Sequence, residues 1–138
     1  MTTQQSEDLT GNGVQAQVGN IRAENLVLVL GPEGSSSATL TTRIVNGNQD
    51  EADRLLGVQI DGIPAYITGD IVEFNAGDSI SFGFESDQWI NAYQFTGASS
   101  TYVPVALQFE RSGIARVDVL VVPPLGYYEG IAPNPPTV

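Results

Sequence analysis

The stretch Ala38–Ile60 constrains the fold most, because its first half alternates with a period of two. In an extended chain, every second residue from Ala38 to Ile44 points to one side, and the residues from Thr39 to Val45 between them point to the other. The segment is also rich in β-branched residues. This pattern predicts a half-buried β-strand rather than a helix.

A polar connection and a second strand complete this stretch. Asn46-Gly47-Asn48 breaks the alternation with residues that tolerate turn conformations, and we expect the acidic run Asp50–Asp53 to keep the connection in water. Leu55–Ile60 then resumes as a strand, with Leu56, Val58 and Ile60 predicted on one face. Two strands joined by a loop are not stable alone, so the rest of the chain must pack against them.

The remaining chain contains further short extended segments separated by glycine and proline. The apolar run Leu26–Leu30 has the length of a strand that is buried on both faces. The turn residues Asn75–Asp78 predict a hairpin between the strands that flank them. These additional predicted strands are Val14–Val18, Ile21–Leu30, the short edge strand Ala65–Thr68, Ile71–Phe74, Ser79–Phe84, Trp89–Phe95, Tyr102–Glu110 and Ile114–Val122.

The last two of these strands are predicted to supply much of the core. The turn Arg111-Ser112-Gly113 joins them, and Pro123 is expected to end the sheet. Each buried valine, leucine or phenylalanine contributes roughly 1.5–3 kcal/mol. The side chains predicted to point inward are Val103, Val105, Leu107, Phe109, Val117, Val119 and Val121.

No helical periodicity longer than two turns occurs in the sequence. Many short strands with glycine and proline between them indicate an all-β sandwich or barrel. At 138 residues the chain fits one domain with an adequate core. We expect a disordered leader at Met1–Gly13, a single β-sandwich domain over residues 14–131 and a proline-rich tail over residues 132–138.

Composition excludes several classes of function. The chain has sixteen acidic residues, five arginines, no lysine and a net charge of −11, so its surface repels nucleic acid and anionic lipid. The absence of cysteine excludes disulfides and zinc–thiolate sites. No run of eighteen apolar residues is present to span a membrane.

Side chains that commonly carry catalysis are missing. Without histidine the chain lacks the usual general base and imidazole metal ligand, and without lysine it lacks a Schiff base or P-loop cation. Two of the acidic residues could still form a pair for hydrolysis, but no motif singles out such a pair. We therefore predict a protein that is not an enzyme and has no cofactor.

The loop that begins at Asn46 fails as a calcium site. Asn46, Asn48 and Asp50 occupy the first, third and fifth positions of a calcium loop. The sixth position is Glu51 instead of glycine, and the twelfth is Gly57 instead of a bidentate glutamate. A solvated connecting loop is the favoured interpretation.

Three motifs resemble the PCuAC-type periplasmic copper-chaperone family, in particular its actinobacterial, LpqE-like lipoprotein branch. The first comprises Thr42–Asn46 and Asp53–Val58, which are similar to the family's strand end and its following "D-x-L-x-G-V" segment. The second is Tyr102–Glu110 with the Ser112-Gly113 turn and valine-rich strand that follow, and the third is Pro123–Tyr128. The resemblance extends from about Val14 to Ile131.

This resemblance implies an antiparallel Greek-key β-sandwich of the cupredoxin-like or immunoglobulin-like kind. It also implies a Cu(I) site built from methionine and histidine, including a His-x-Met pair. The chain has no histidine, and its one methionine is Met1. The segments where ligands are expected, Asp61–Pro64 and Gln88–Phe95, offer no replacement, so we assign no metal residue.

The resemblance also implies a place in the cell envelope. Relatives are made with a signal peptide and a lipid-modified cysteine, whereas Met1–Gly13 has neither the apolar nor the basic region of a signal peptide. We therefore expect an extracytoplasmic ectodomain that is lipid-anchored in its native precursor.

The predicted function is binding of an envelope protein or a small envelope component. One alternative is copper handling together with a partner, and a weaker one is a paired-carboxylate hydrolase. The tyrosines at the C-terminal end either cap the sandwich or contact a partner. The candidate interaction residues are Asp50, Glu51, Asp53, Tyr127 and Tyr128.

Overall fold

A computed structural model describes residues 13–32, 35–83 and 86–124 of the chain. The predicted tail, nearly all of the predicted leader, and Tyr127 and Tyr128 lie outside the described residues. The predicted domain bounds therefore stay a prediction at both ends.

All regular elements of the described residues are strands, which confirms the all-β prediction. In that part of the chain no helix has the length and apolar character needed to cross a membrane. In chain order the strands are β1 (Val14–Val18), β2 (Ile21–Leu30), β3 (Ser37–Asn46), β4 (Asp53–Ile60), β5 (Ile63–Pro64), β6 (Tyr66–Ile67), β7 (Val72–Phe74), β8 (Ser79–Phe82), β9 (Ile90–Tyr93), β10 (Tyr102–Phe109) and β11 (Gly113–Val122).

The strands form two hydrogen-bonded groups. Sheet A contains β1, β2, β3, β6, β8 and β9, and sheet B contains β4, β5, β7, β10 and β11. All of these pairs are antiparallel. The last residues of β11 leave sheet B and pair in parallel with β2, through Val121–Leu28 and Val122–Val29, so this single parallel contact departs from the predicted antiparallel pattern.

The main hydrophobic core lies between the two sheets. Strand β10 alternates as predicted, with Val103, Val105, Leu107 and Phe109 all buried. Phenylalanines from β7, β8 and β10 pack together near one end, where the ring centroid of Phe74 lies 6.3 Å from that of Phe82 and 6.4 Å from that of Phe109. Burial of such side chains is the dominant stabilising term in a sandwich.

The prediction of a half-buried strand at Ala38–Val45 is wrong for much of β3. Thr39 and Thr41 are buried, as are Leu40 and Thr42 on the opposite face. The cause is position, because β3 is an interior strand with β2 on one side and β8 and β9 on the other. The prediction that Leu26–Leu30 is buried on both faces is confirmed for Leu26 to Val29.

A β-bulge makes the predicted inward face of β4 wrong at Leu55 and Leu56. The register between β10 and β4 shifts after the Gln108–Gly57 pair, and Phe109 pairs with Leu55 instead of Leu56. Leu55 is therefore fully buried, whereas Leu56 is only half-buried. The sequence alternation placed Leu56 inward because it contains no sign of the extra residue.

The predicted hairpin around Asn75–Asp78 is also wrong. The turn exists, but β7 pairs with β4 in sheet B and β8 pairs with β3 in sheet A. The predicted edge strand Ala65–Thr68 is present as β6 at the edge of sheet A, and the chain reaches it directly from β5 in sheet B. In both places the chain crosses from one sheet to the other.

Candidate functional site

The acidic loop between β3 and β4 is held at its first end by a buried amide. Asn46 is fully buried, and its Nδ2 donates to the carbonyl oxygens of Glu51, Phe74 and Asn75 at 2.9, 3.2 and 3.3 Å. Its Oδ1 accepts hydrogen bonds from the backbone N–H and the side-chain amide of Asn48. These contacts tie the loop to the sheet-crossing turn after β7.

A buried carboxylate holds the second end. Asp53 is 1% exposed, and its Oδ1 accepts hydrogen bonds from the N–H groups of Arg54 and Arg111, each at 2.8 Å. Its Oδ2 accepts the Ser112 hydroxyl at 2.6 Å and the Ser112 N–H at 3.0 Å. The prediction that all of Asp50–Asp53 lies in water is therefore wrong for Asp53, which fixes the β10–β11 turn and has no exposed surface for a partner.

The hydrogen bonds control the ionisation of this carboxylate. Burial by itself raises the pKa of Asp53, but the bonds from the Ser112 hydroxyl and from the N–H groups of Arg111, Arg54 and Ser112 outweigh it. The pKa of Asp53 therefore lies below its ordinary value. Asp53 is an ionised structural group.

The middle of the loop is different. Asp50 and Glu51 have exposed side chains, and the rigid ends present them to solvent. Their role in an interaction stays a prediction. Tyr127 and Tyr128, which complete the predicted set, lie outside the described residues.

The segment where the family resemblance places a His-x-Met pair is β9 and the residues beside it. Trp89 has a buried indole Nε1 that lacks a hydrogen-bond partner, and an indole N–H is a donor that cannot ligate a metal. The amide of Asn91 is fully buried and accepts the Thr39 hydroxyl at 2.5 Å. Burial raises the pKa of the half-buried Tyr93, which favours its neutral phenol form.

These donors do not suit Cu(I). The soft cation is bound by thioether, thiolate and imidazole ligands, and the β9 segment supplies an indole, an amide and a phenol. The other expected ligand segment is a tight two-residue turn, in which Asp61 and Gly62 have φ angles of 54° and 80°. No group of three or more carboxylate, histidine or cysteine side chains placed to hold a metal occurs among residues 13–32, 35–83 and 86–124.

A groove on the outer face of sheet B was not identified from the sequence. It has a volume of about 640 Å³ and is bounded by β4, β10 and β11 and by the segment from β5 to Ile71. Across its floor, the strand register aligns Gln59, Ala106 and Arg116 in one row and Gly57, Gln108 and Ile114 in the next. Because Gly57 and Ala106 in these rows are small, the floor of the groove is recessed between the larger side chains.

The groove combines apolar walls with available polar groups. Ile71 is 48% exposed and Ile114 is 42% exposed, and both line it. The side chains of Gln59, Gln108 and Arg116 make no hydrogen bond or ion pair within the described part of the protein. The sequence signal was slight, because these residues are ordinary outward positions of alternating strands until the register brings them together.

Three solved structures are similar to this fold. An apo PmoF2 PCuAC domain aligns with a TM-score of 0.70 at 21% identity, over 82% of this chain and 98% of that one. The copper-bound PCuAC domain from PmoF2 aligns with a TM-score of 0.68 at 21% identity, over 80% of this chain and 98% of that one. The apo PCuAC domain from PmoF1 aligns with a TM-score of 0.68 at 20% identity, over 78% of this chain and 98% of that one. No family model matches the sequence, and no curated protein matches it.

Similarity at these identities establishes the fold alone. The chain has the PCuAC fold, which confirms the predicted cupredoxin-like β-sandwich. Membership of the LpqE-like branch stays a prediction.

Proposed function

We propose that this chain is a non-enzymatic binding module of the cell envelope that uses the PCuAC fold without holding copper by itself. The observation that carries the proposal is the chemistry of the β9 segment, where Trp89, Asn91 and Tyr93 replace the expected soft ligands. The Asp61–Gly62 turn adds no donor of the required kind.

The acidic residues support a binding role better than hydrolysis. A general acid at neutral pH needs a carboxyl group whose pKa is raised. The pKa of the buried carboxyl of Asp53 is instead lowered, and four hydrogen bonds occupy its oxygens. The paired-carboxylate hydrolase is therefore the weaker alternative.

An extracytoplasmic, lipid-anchored location is part of the same proposal. The resemblance in the sequence and the shared fold support the location, and the motifs of the lipoprotein branch support the anchor. The partner is an envelope protein or a small envelope component, and the exposed carboxylates of Asp50 and Glu51 offer one contact surface.

One specific observation favours copper handling together with a partner. A PCuAC domain of this fold has been solved in the copper-bound state. For this chain to act in the same way, a partner would have to contribute the sulfur or imidazole ligands, because its own inventory is limited to Met1.

A competition titration against a Cu(I)-selective chromophoric chelator tests the proposal. The full chain is compared with its Met1→Leu variant under anaerobic conditions. We expect the chelator to keep its copper in both cases. Withdrawal of one equivalent of Cu(I) at sub-micromolar free metal by both proteins would contradict the proposal and establish a copper site in the chain itself.

A further inference from the structure

We infer that the groove on the outer face of sheet B binds a small amphiphile that carries a single carboxylate beside an apolar chain. The inference rests on the proposed binding function and specifies the chemical class of the ligand. Its occupant is identified from three features of the groove: a cation without a partner, exposed apolar walls, and acidic residues at the rim.

The cation is Arg116. In the described residues, three of the five arginines form ion pairs: Arg22 and Arg43 with Glu24, and Arg54 with Glu110. Arg111 and Arg116 form none, although the chain has an excess of acidic residues, and of these two only Arg116 lines the groove. A guanidinium group binds a carboxylate through two parallel hydrogen bonds, so an anionic ligand group is complementary to this position.

Two amides flank the cation. Gln59 lies in the same row as Arg116, separated from it by Ala106, and Gln108 lies in the adjacent row. Their side-chain N–H groups can donate to the second oxygen of a carboxylate bound at Arg116. Because Ala106 is small, the three polar side chains surround a depression rather than a flat surface.

The apolar part of the ligand is specified by Ile114 and Ile71. They are two of the three large apolar side chains that are exposed in the described part of the chain, and they line the same groove. Strands β4 and β11 are separated by β10, so the floor is about 10 Å wide. Covering both isoleucines with an alkyl chain removes apolar surface from water and is favourable.

The acidic residues around the groove favour a ligand that carries only one negative charge. Asp70 lines the groove on the side of the β5–β6 segment, and Asp118, two residues after Arg116 on the same face of β11, lines the depression next to it. These carboxylates and the net charge of −11 repel a phosphate or any polyanion more strongly than they repel one carboxylate. The volume of about 640 Å³ is in the range of small-molecule sites.

Isothermal titration calorimetry of the full chain with decanoate tests this inference. The comparison uses Arg116→Gln and, as a matched control, Arg111→Gln, which removes the same charge from the β10–β11 turn outside the groove. We expect Arg116→Gln to weaken binding about tenfold or more and Arg111→Gln to change it less than about twofold. Decanol and decyl phosphate, which test the head group, should both bind more weakly than decanoate.

Several outcomes would overturn the inference. These are no measurable heat with decanoate, equal effects of the two arginine substitutions, or decanol that binds as well as decanoate. A tighter complex with an apolar tripeptide that has a free C-terminus would also overturn it and identify a peptide site. The Cu(I) titration decides the proposed function independently, so failure of decanoate binding leaves that result intact.

Discussion

Two rows of side chains, one on the outer face of each sheet, have opposite environments. In sheet A the register aligns Val29, Thr39 and Asn91, and all three are fully buried. In sheet B it aligns Gln59, Ala106 and Arg116, and both end members are exposed. Sheet A is thus closed on both faces at this row, whereas sheet B is closed on one face and open on the other.

The difference separates positions that are fixed by packing from positions that are open to a ligand. Buried rows are constrained by packing and by the need to satisfy every polar group, as in the hydrogen bond between Thr39 and Asn91. An open row is free of both constraints, so its residue types can be set by a ligand. The β9 segment, where the PCuAC resemblance expects a His-x-Met pair, lies in sheet A, and there Asn91 is already buried and hydrogen-bonded.

The largest expected effect comes from placing a charge in each row. Val29→Asp buries a carboxylate without a compensating cation and should destabilise the protein by about 3–5 kcal/mol or more. Ala106→Asp places the same charge on the open row and should cost less than about 1 kcal/mol. Urea denaturation monitored by circular dichroism measures both. Equal losses of stability would show that the two outer faces do not differ.

The acidic loop contains the same contrast between a buried and an exposed position, in Asp53 and Asp50. Substitutions there should change the stability by an intermediate amount. Asp53→Asn replaces an ionised acceptor with an amide whose NH₂ group faces the donors of Ser112, and we expect a loss of about 2 kcal/mol at neutral pH. Asp50→Asn alters an exposed carboxylate and should change stability by less than about 0.5 kcal/mol.

The pH dependence of this loss has a definite sign. Because the pKa of Asp53 is lower in the folded than in the unfolded chain, its stabilising contribution is complete above the unfolded pKa of roughly 4. It is lost as the pH falls through the folded pKa. The stability difference between wild type and Asp53→Asn should therefore shrink in acid, and a difference that stays constant from pH 7 to acid would contradict the assignment.

The smallest expected change in stability comes from neutral substitutions on the exposed outer face of sheet B. Arg116→Gln and Ile114→Ser should each change the free energy of unfolding by less than about 1 kcal/mol, since neither side chain is buried and Arg116 has no partner to lose. Thermal unfolding provides the measurement. A loss of several degrees for Arg116→Gln would mean that the guanidinium has a structural role and would weaken its assignment to a ligand.

The positions of most strands along the chain were predictable, because a period of two survives wherever one face of a strand is buried. Strand β10 shows this clearly, with its alternation of buried and exposed residues matching the sequence. Sheet membership was not predictable, because alternation contains no information about the partner strand. For this reason β7 and β8 appeared as a hairpin although they belong to different sheets.

The candidate site was less predictable for related reasons. Asp53 belongs to the same acidic run as Asp50, and the β10–β11 turn that donates hydrogen bonds to it lies 58 residues later in the sequence. Arg116 and Gln59 come to lie on either side of Ala106 through two strand registers, one of which contains a bulge. The absence of histidine and of any methionine beyond Met1, by contrast, was evident from composition, because an absent residue type is absent in any fold.

The most direct test of the claim that the outer face of sheet B is the binding surface is a residue-resolved NMR titration of the full chain with decanoate. Amide shift changes should be concentrated in β4, β10, β11 and the segment from Pro64 to Ile71, with little change from Trp89 to Tyr93. Changes concentrated instead at Trp89, Asn91 and Tyr93 would contradict the claim and return the binding site to sheet A.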